Sequence, residues 1–267
     1  MSAAATLAEA LEPLRADPAR AAVLLDVDGT LAPIVRHAED AHVPEPTRVP
    51  LIAIAKRYGV VACVSGRRAA VARRMVSIGS ITYIGNHGAE LLRGGASEPE
   101  LDPEFARWSR RVRSFADSVL SEDLHRLRVR VEDKDAIVGF HWRGAPDEDA
   151  AQEAVQDLAR LAQERGFAVH WGRKVLEVRP PVAVDKGRGI ARLLAPADVD
   201  AALYVGDDMT DLDAFRSLRA LVARGALERA VCVGVRSDET PDEIAAEADL
   251  LVDGPVGVRG LLEALAA

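Results

Sequence analysis

Rings and thiols are scarce in this sequence: aromatic residues make up 4% of its 267 positions, and there are two cysteines. With so few rings, the core must be built from Ala, Val, Leu and Ile. Cys63 and Cys232 each lie inside an apolar run, VVACV and AVCVGV, where a small buried hydrophobe is expected. Two such thiols make neither a disulfide framework nor a zinc site, which fits a reducing cytoplasm. No stretch approaches the ~18 uninterrupted apolar residues of a membrane span. The first twenty residues carry Glu9, Glu12 and Arg15 where a signal peptide would be apolar, and so read as a short amphipathic helix. Positive charge is also in deficit. A net charge of −8 excludes binding to nucleic acid or an anionic membrane by bulk electrostatics, so a small anionic ligand would need local cations or a metal.

What the sequence does contain is a series of short apolar runs that end abruptly in polar or glycine-containing clusters. AAVLL stops at Asp26, VVACV at Ser65, ITYI at Gly85, AALYV at Gly206 and AVCVGV at Arg236. Runs of this length without alternation suit strands buried on both faces, and helical segments between them predict an α/β fold with a doubly wound parallel sheet. From Leu101 to Val178 the texture changes to an α-β-β-α-β-β order, which predicts a small α+β domain with an antiparallel sheet. The expected division is therefore a core of residues 1–100 and 179–267 with an inserted cap of residues 101–178.

The polar clusters gather chemistry at the strand ends. Asp26-Val27-Asp28-Gly29-Thr30 follows the first strand, and groups just beyond the carboxyl ends of parallel strands face the ligand crevice. Two carboxyls in different environments can hold different protonation states, so one can attack phosphorus while the other protonates the leaving oxygen. Gly206-Asp207-Asp208-Met209-Thr210-Asp211 adds three more carboxylates at the same predicted edge. So many negative charges call for a counter-charge, and magnesium suits a few carboxylates plus a substrate phosphate. Lys186 offers a point charge for that phosphate, and Ser65-Gly66-Arg67 offers a hydroxyl and backbone N–H groups at a predicted helix start.

DVDGT, SGR, DKG and GDDMTD, in this order, resemble the four motifs of the haloacid-dehalogenase superfamily. The resemblance implies a Rossmann-like core, a nucleophile at Asp26 and a general acid/base at Asp28. It also implies phosphate contacts from Ser65 and Lys186, and magnesium held by Asp26, the backbone carbonyl of Asp28, and Asp207. Asp208 and Asp211 would hold metal waters and orient Lys186. LLDVDGTLAPI, CVSGRRAAV, YIGNHGAEL, VEDKDAIVGFHWR, GRKVLEVRP and GDDMTDLDAF further resemble the trehalose-6-phosphate phosphatase family, although Asn86 replaces a usual serine and Leu212 a frequent glutamate. Gly66 and Arg67 belong with Ser65 to the expected phosphate cradle, and this narrower resemblance implies that Asn86, His87 and Gly88 line the core side of the sugar site. From the cap, Glu132, Arg143, Arg173, Lys174 and Glu177 would contact sugar hydroxyls. It implies hydrolysis of trehalose 6-phosphate in a cytoplasmic enzyme, with a mobile cap that selects the substrate.

Two other readings share these motifs. A phosphatase for another sugar phosphate, such as sucrose phosphate or mannosyl-phosphoglycerate, would use the same chemistry. A phospho-receiver signalling module also gathers acids, a hydroxyl and a lysine around magnesium. It is opposed by Asp28 beside the nucleophile, which would speed dephosphorylation, and by the size of the insertion.

Overall fold

A strand covered on both faces has no place for a polar side chain before its end, and Ala21–Asp26, here β1, is buried along its whole length. The computed structural model describes residues 6–35, 40–133, 136–172, 174–238 and 240–267. It divides into two units, Met1–Glu100 with Val184–Ala267, and Leu101–Ala183.

The larger unit opens with α1 (Leu7–Ala16), whose first turn is closed by a reciprocal cap between Thr6 and Glu9. After β1 come α2 (Glu45–Arg57), β2 (Val60–Val64), α3 (Ala69–Val76), β3 (Thr82–Gly85) and β4 (Glu90–Leu92). The two-residue β5 (Glu100–Leu101) stands at the junction. The smaller unit contains α4 (Pro103–Val119), α5 (Glu122–Arg126), β6 (Arg130–Asp133), β7 (Val138–His141), α6 (Glu148–Glu164), β8 (Ala168–Gly172) and β9 (Val175–Arg179). The larger unit resumes with α7 (Lys186–Leu194), β10 (Ala201–Gly206), α8 (Asp211–Ala223), β11 (Arg229–Arg236), α9 (Asp242–Glu247), β12 (Leu250–Asp253) and α10 (Gly254–Ala266).

The large sheet has the order β12-β11-β10-β1-β2-β3-β4-β5. It is parallel from β12 to β3 and turns antiparallel at β4. Alternation along β1 divides its burial between two layers. Val23 and Leu25 pack with Leu14, Leu51, Val76 and Leu261 from α1, α2, α3 and α10. Ala22 and Leu24 pack on the other face with Ile190 of α7 and Phe215 of α8. From β1 the chain builds outward through β2 and β3, and from β10 outward through β11 and β12, so the strand order switches between β1 and β10. Leu25 stands level with Val205, which brings Asp26 out beside Gly206 at the carboxyl edge, where open α/β sheets hold their ligands.

In the smaller unit, β6-β7-β9-β8 form an antiparallel sheet. Phe140, Leu176 and Val178 are fully buried on one face among Val112 and Phe115 of α4 and Val155 and Leu158 of α6. The periodic apolar positions of α6 thus cover the sheet, and its N-terminus is capped by Asp147. Two details differ from the sequence expectation. The short α5, capped by Ser121, interrupts the simple α-β-β order, and this unit runs to Ala183 rather than Val178. Trp142 is buried, whereas Trp171 is 45% exposed and meets Trp142 edge-on at 6.0 Å. Trp171 lies near the end of the edge strand β8.

Candidate functional site

Five carboxylates converge on the carboxyl edge of the large sheet, but they are not equivalent. Asp26 ends β1 and is nearly inaccessible, and Lys186, the first residue of α7, places Nζ 2.7 Å from its Oδ1. Asp185 caps α7 by accepting from the Arg188 N–H at 2.7 Å, which fixes where the lysine starts. The same Nζ donates to Asp211 Oδ1 at 2.7 Å and lies 3.8 Å from Asp208 Oδ1.

Asp211 has no vacant lone pair in plane. Its Oδ1 accepts from Lys186 and from the Tyr204 hydroxyl at 2.5 Å, while Oδ2 accepts the backbone N–H groups of Asp207 and Asp208 at 2.9 and 3.0 Å. It therefore acts as the anchor of the loop after β10. Gly206 makes this possible, because a Cβ there would sit 2.3 Å from Asp211 Cγ. Asp207 Oδ1 accepts from Thr30 Oγ1 at 2.9 Å. Gly29, at φ +82°, brings the loop after β1 so close that a Cβ would lie 2.1 Å from Asp207 Oδ2.

Carboxyl oxygens of Asp26, Asp207 and Asp211 all lie within 4.8 Å of one another, beside one ammonium. Burial pushes Asp26 well above the usual carboxylate range, against the pull of Lys186, and burial with the nearby Asp211 pushes Asp207 up to about 7. Burial also raises Asp211. Asp208 is pushed up by burial, but Lys186 and the Thr210 hydrogen bonds outweigh this and hold it below its ordinary value. Lys186 pays a desolvation cost that Asp26 and Asp211 more than offset, so it stays protonated. The cluster is short of positive charge.

Asp28 points to a different partner. Arg67 grips it with both arms of its guanidinium, Nε to Oδ2 at 2.8 Å and a terminal nitrogen to Oδ1 at 2.7 Å. The loop that carries Arg67 is folded against the loop after β3: Asn86 N donates to Arg67 O at 2.7 Å, and His87 N to Ser65 O at 3.2 Å. Asn86 and His87 both have left-handed backbones, at φ 50° and 53°, an uncommon conformation that the surrounding hydrogen bonds hold in place. Gly66 leaves room for the imidazole, since a Cβ there would lie 2.6 Å from His87 Cε1. Gly88, at φ +110°, lets the same loop touch Asp185 at the start of α7.

The expected helix start at Ser65-Gly66-Arg67 is displaced. Helix α3 begins at Ala69, and its N–H is already taken by Glu90 Oε2 at 2.8 Å. The Arg67 N–H instead donates to Ser65 Oγ at 3.0 Å. The sequence reading missed Tyr204, Thr30 and Glu90. Thr30 is part of the DVDGT cluster, but Tyr204 sits within a strand-like run and Glu90 at the start of a three-residue strand, and neither carries a local signal.

In the smaller unit Glu132 and Glu177 rise from β6 and β9 on the face away from the helices, both opposite Gly139 of β7. Arg179 pairs with Glu177. Lys174, in a left-handed turn, is ion-paired with Glu148, and Arg143 is exposed nearby. Arg173 lies outside the described residues.

The sequence profile of the family described as Trehalose-phosphatase matches residues 24–247. An uncharacterized glycosyl hydrolase of Mycobacterium tuberculosis is 35% identical over 208 residues, 75% of this chain and 15% of that protein. A trehalose-phosphate phosphatase of Mycobacterium avium is 31% identical over 255 residues, 92% of this chain and 62% of that protein. A trehalose 6-phosphate phosphatase of Zea mays is 30% identical over 262 residues, covering 91% of this chain and 69% of that one. The chain thus spans less than two thirds of the length of the two mycobacterial relatives. The crystal structure of Aspergillus fumigatus trehalose-6-phosphate phosphatase superimposes with a TM-score of 0.64 at 25% identity, covering 100% of this chain and 99% of that one.

Proposed function

Because the chain belongs to the trehalose-phosphatase family, we propose that it hydrolyses trehalose 6-phosphate to trehalose and phosphate through a phosphorylated Asp26. The observation that carries this is the placement of Asp26 at the strand-order switch, against a protonated Lys186, with Asp28 two residues further on and held by Arg67. An oxygen of Asp26 attacks phosphorus, the bond from phosphorus to the sugar oxygen breaks, and Asp28 gives that oxygen its proton. In the second half Asp28 takes a proton from water, the resulting hydroxide attacks phosphorus, and the bond to Asp26 breaks to release phosphate. The incoming phosphate competes with Asp28 for the Arg67 fork, so substrate binding itself frees Asp28 for proton transfer. Ser65 and Lys186 flank the phosphate. A nucleophile held at the foot of the crevice beside a fixed ammonium needs little reorganisation during reaction.

The donor set fits magnesium. It consists of hard oxygens, it lacks positive charge, and it is small. Since Asp211 is saturated with hydrogen bonds, Asp26 and Asp207 are the side chains that would hold the ion, with the backbone carbonyl of Asp28. Bound there, magnesium would neutralise charge on the phosphate and let carboxylate and phosphate approach. The deciding assay is phosphate release from trehalose 6-phosphate, sucrose phosphate, mannosyl-phosphoglycerate and an aryl phosphate. Chelation should stop release, magnesium should restore it, and calcium should restore it poorly, because its looser coordination misplaces the nucleophile. Full activity in metal-free protein would sink the metal assignment.

A thermal readout tests the same assignment without turnover. Asp207 ionises near pH 7 in the folded protein against an ordinary 3.8, so the folded state binds the extra proton between those values. Stability contributed by this group therefore falls as pH rises from about 4 to 7. Metal-free protein should lose more Tm between pH 5 and pH 8 than Asp207→Asn does, and magnesium should raise the wild-type Tm more at pH 8 than at pH 5.

Sugar recognition falls to the smaller unit in this reading, through Glu132, Arg143, Arg173, Lys174 and Glu177, whose carboxylates and cations make charge-assisted hydrogen bonds to hydroxyls. Glu177→Ala should lower kcat/KM for trehalose 6-phosphate about 10- to 100-fold, the cost of one or two such bonds, and leave aryl phosphate hydrolysis near normal. Equal losses on both substrates would refute this division of labour. The two free, buried thiols accord with work in a reducing cytoplasm. No helix among the described residues is long and apolar enough to cross a membrane.

A further inference from the structure

One contact on the polar face of the small sheet joins Glu132 to a residue with no role assigned above. His141 Nε2 lies 2.8 Å from Glu132 Oε2, although their backbones are not directly opposed: His141 faces Arg130, and Glu132 faces Gly139. To reach Glu132 the imidazole must lean along β7 across the position of Gly139. It does so closely, since a Cβ on Gly139 would sit 3.0 Å from His141 Nε2. Glycine is otherwise disfavoured inside a strand, and here its bare surface is the seat of a ring. Gly139 also faces Glu177 on its other side. The row across the sheet is therefore Glu132, Gly139 covered by imidazole, and Glu177. The two carboxylates stand about two strand spacings apart, on the order of 10 Å, a gap that admits a hexose ring with a hydrogen bond on either side.

From this we infer that His141 is a positioning residue: seated on Gly139, it donates Nε2–H to Glu132 and fixes that carboxylate in the orientation that accepts sugar hydroxyls. The inference rests on the sugar-phosphate reading above and adds residues to it. Glu177 has a brace of its own in Arg179, so each wall of the gap has a neighbour on the same face. Holding a carboxylate before the ligand arrives lowers the ordering cost of binding, and so acts on KM rather than on the phosphoryl step.

The test compares His141→Ala, His141→Gln, Gly139→Val and Glu132→Ala, alone and with His141→Ala added to Glu132→Ala. KM and kcat are measured for trehalose 6-phosphate and for p-nitrophenyl phosphate, alongside Tm. His141→Ala and Gly139→Val should each raise KM for the sugar phosphate about tenfold with kcat little changed, and shift the ratio of kcat/KM for the two substrates by the same factor. Gln, whose Nε2 can occupy the same place, should recover most of the loss. Adding His141→Ala to Glu132→Ala should cost nothing more, because the histidine acts through the glutamate. Equal losses on both substrates with a lowered Tm, an unchanged KM in His141→Ala, or fully additive losses in the double variant would each overturn the assignment. Wild-type turnover of trehalose 6-phosphate, in the same experiment, judges the substrate reading separately.

Discussion

Asp26→Asn should release no phosphate above background, a loss on the order of 10⁵–10⁶ in kcat, the scale seen when an enzyme loses its nucleophile. The side chain is shape-conserving, and its remaining oxygen can still accept from Lys186, which also keeps Asp211, so the variant should fold with a Tm close to the parent. Asp28→Asn should cost less, about 10²–10⁴, because it removes only proton transfer. It should also loosen Arg67, whose guanidinium is held in its charged form by hydrogen bonds to Asp28. The separation between the two variants is the informative quantity. Measured as single-turnover phosphate release from trehalose 6-phosphate, near-normal activity in Asp26→Asn would remove the proposed mechanism altogether.

Asp211→Ala should have the largest effect on stability. Four donors converge on this carboxylate: the Lys186 ammonium, the Tyr204 hydroxyl and two backbone N–H groups. The residue is fully buried, so truncation strands an ammonium and a phenol away from water, at a cost of about 3–5 kcal/mol. Asp211→Asn should not rescue it well. All four hydrogen-bond partners of the carboxylate are donors, so an amide NH₂ would face donors on whichever side it turned. The urea unfolding midpoint should therefore fall in both variants, more in Ala, with activity lost alongside because Lys186 and the Asp207 loop lose their anchor. An unfolding midpoint within experimental error of the parent would show that Asp211 is a replaceable surface acid, contrary to its four bonds.

Much of this arrangement is legible before any coordinates. The parallel core strands read correctly because burial on both faces leaves a contiguous apolar run, a signal contained in four to six residues. β4 and β12 went unread: each is three or four residues at or near a sheet edge, and β12 is not fully buried, so neither needs such a run. The short α5 spans hardly more than one turn, too little for a helical period to register. Within the smaller unit α6 is legible from its spacing, but the exposure of Trp171 is not, because it depends on β8 being the edge of the sheet.

By itself, the sequence determined where the strands end and which acids, hydroxyls and amines stand there, because strand length and polarity are local properties. It also determined the family. Tertiary structure decided which of those groups meet. Lys186 reaches Asp26 across 160 residues of chain, Thr30 reaches Asp207 across 177, and Tyr204 turns its hydroxyl onto Asp211 from inside a strand. Spacing alone offers five carboxylates, and only the family resemblance separates their roles; the fold makes Asp211 an anchor, Asp28 the partner of an arginine, and Asp26 and Asp207 a buried pair with more negative charge than the Lys186 ammonium balances. That sorting follows from parallel strand order and register, which set distances between segments far apart in the chain, and burial then turns those distances into differences in protonation.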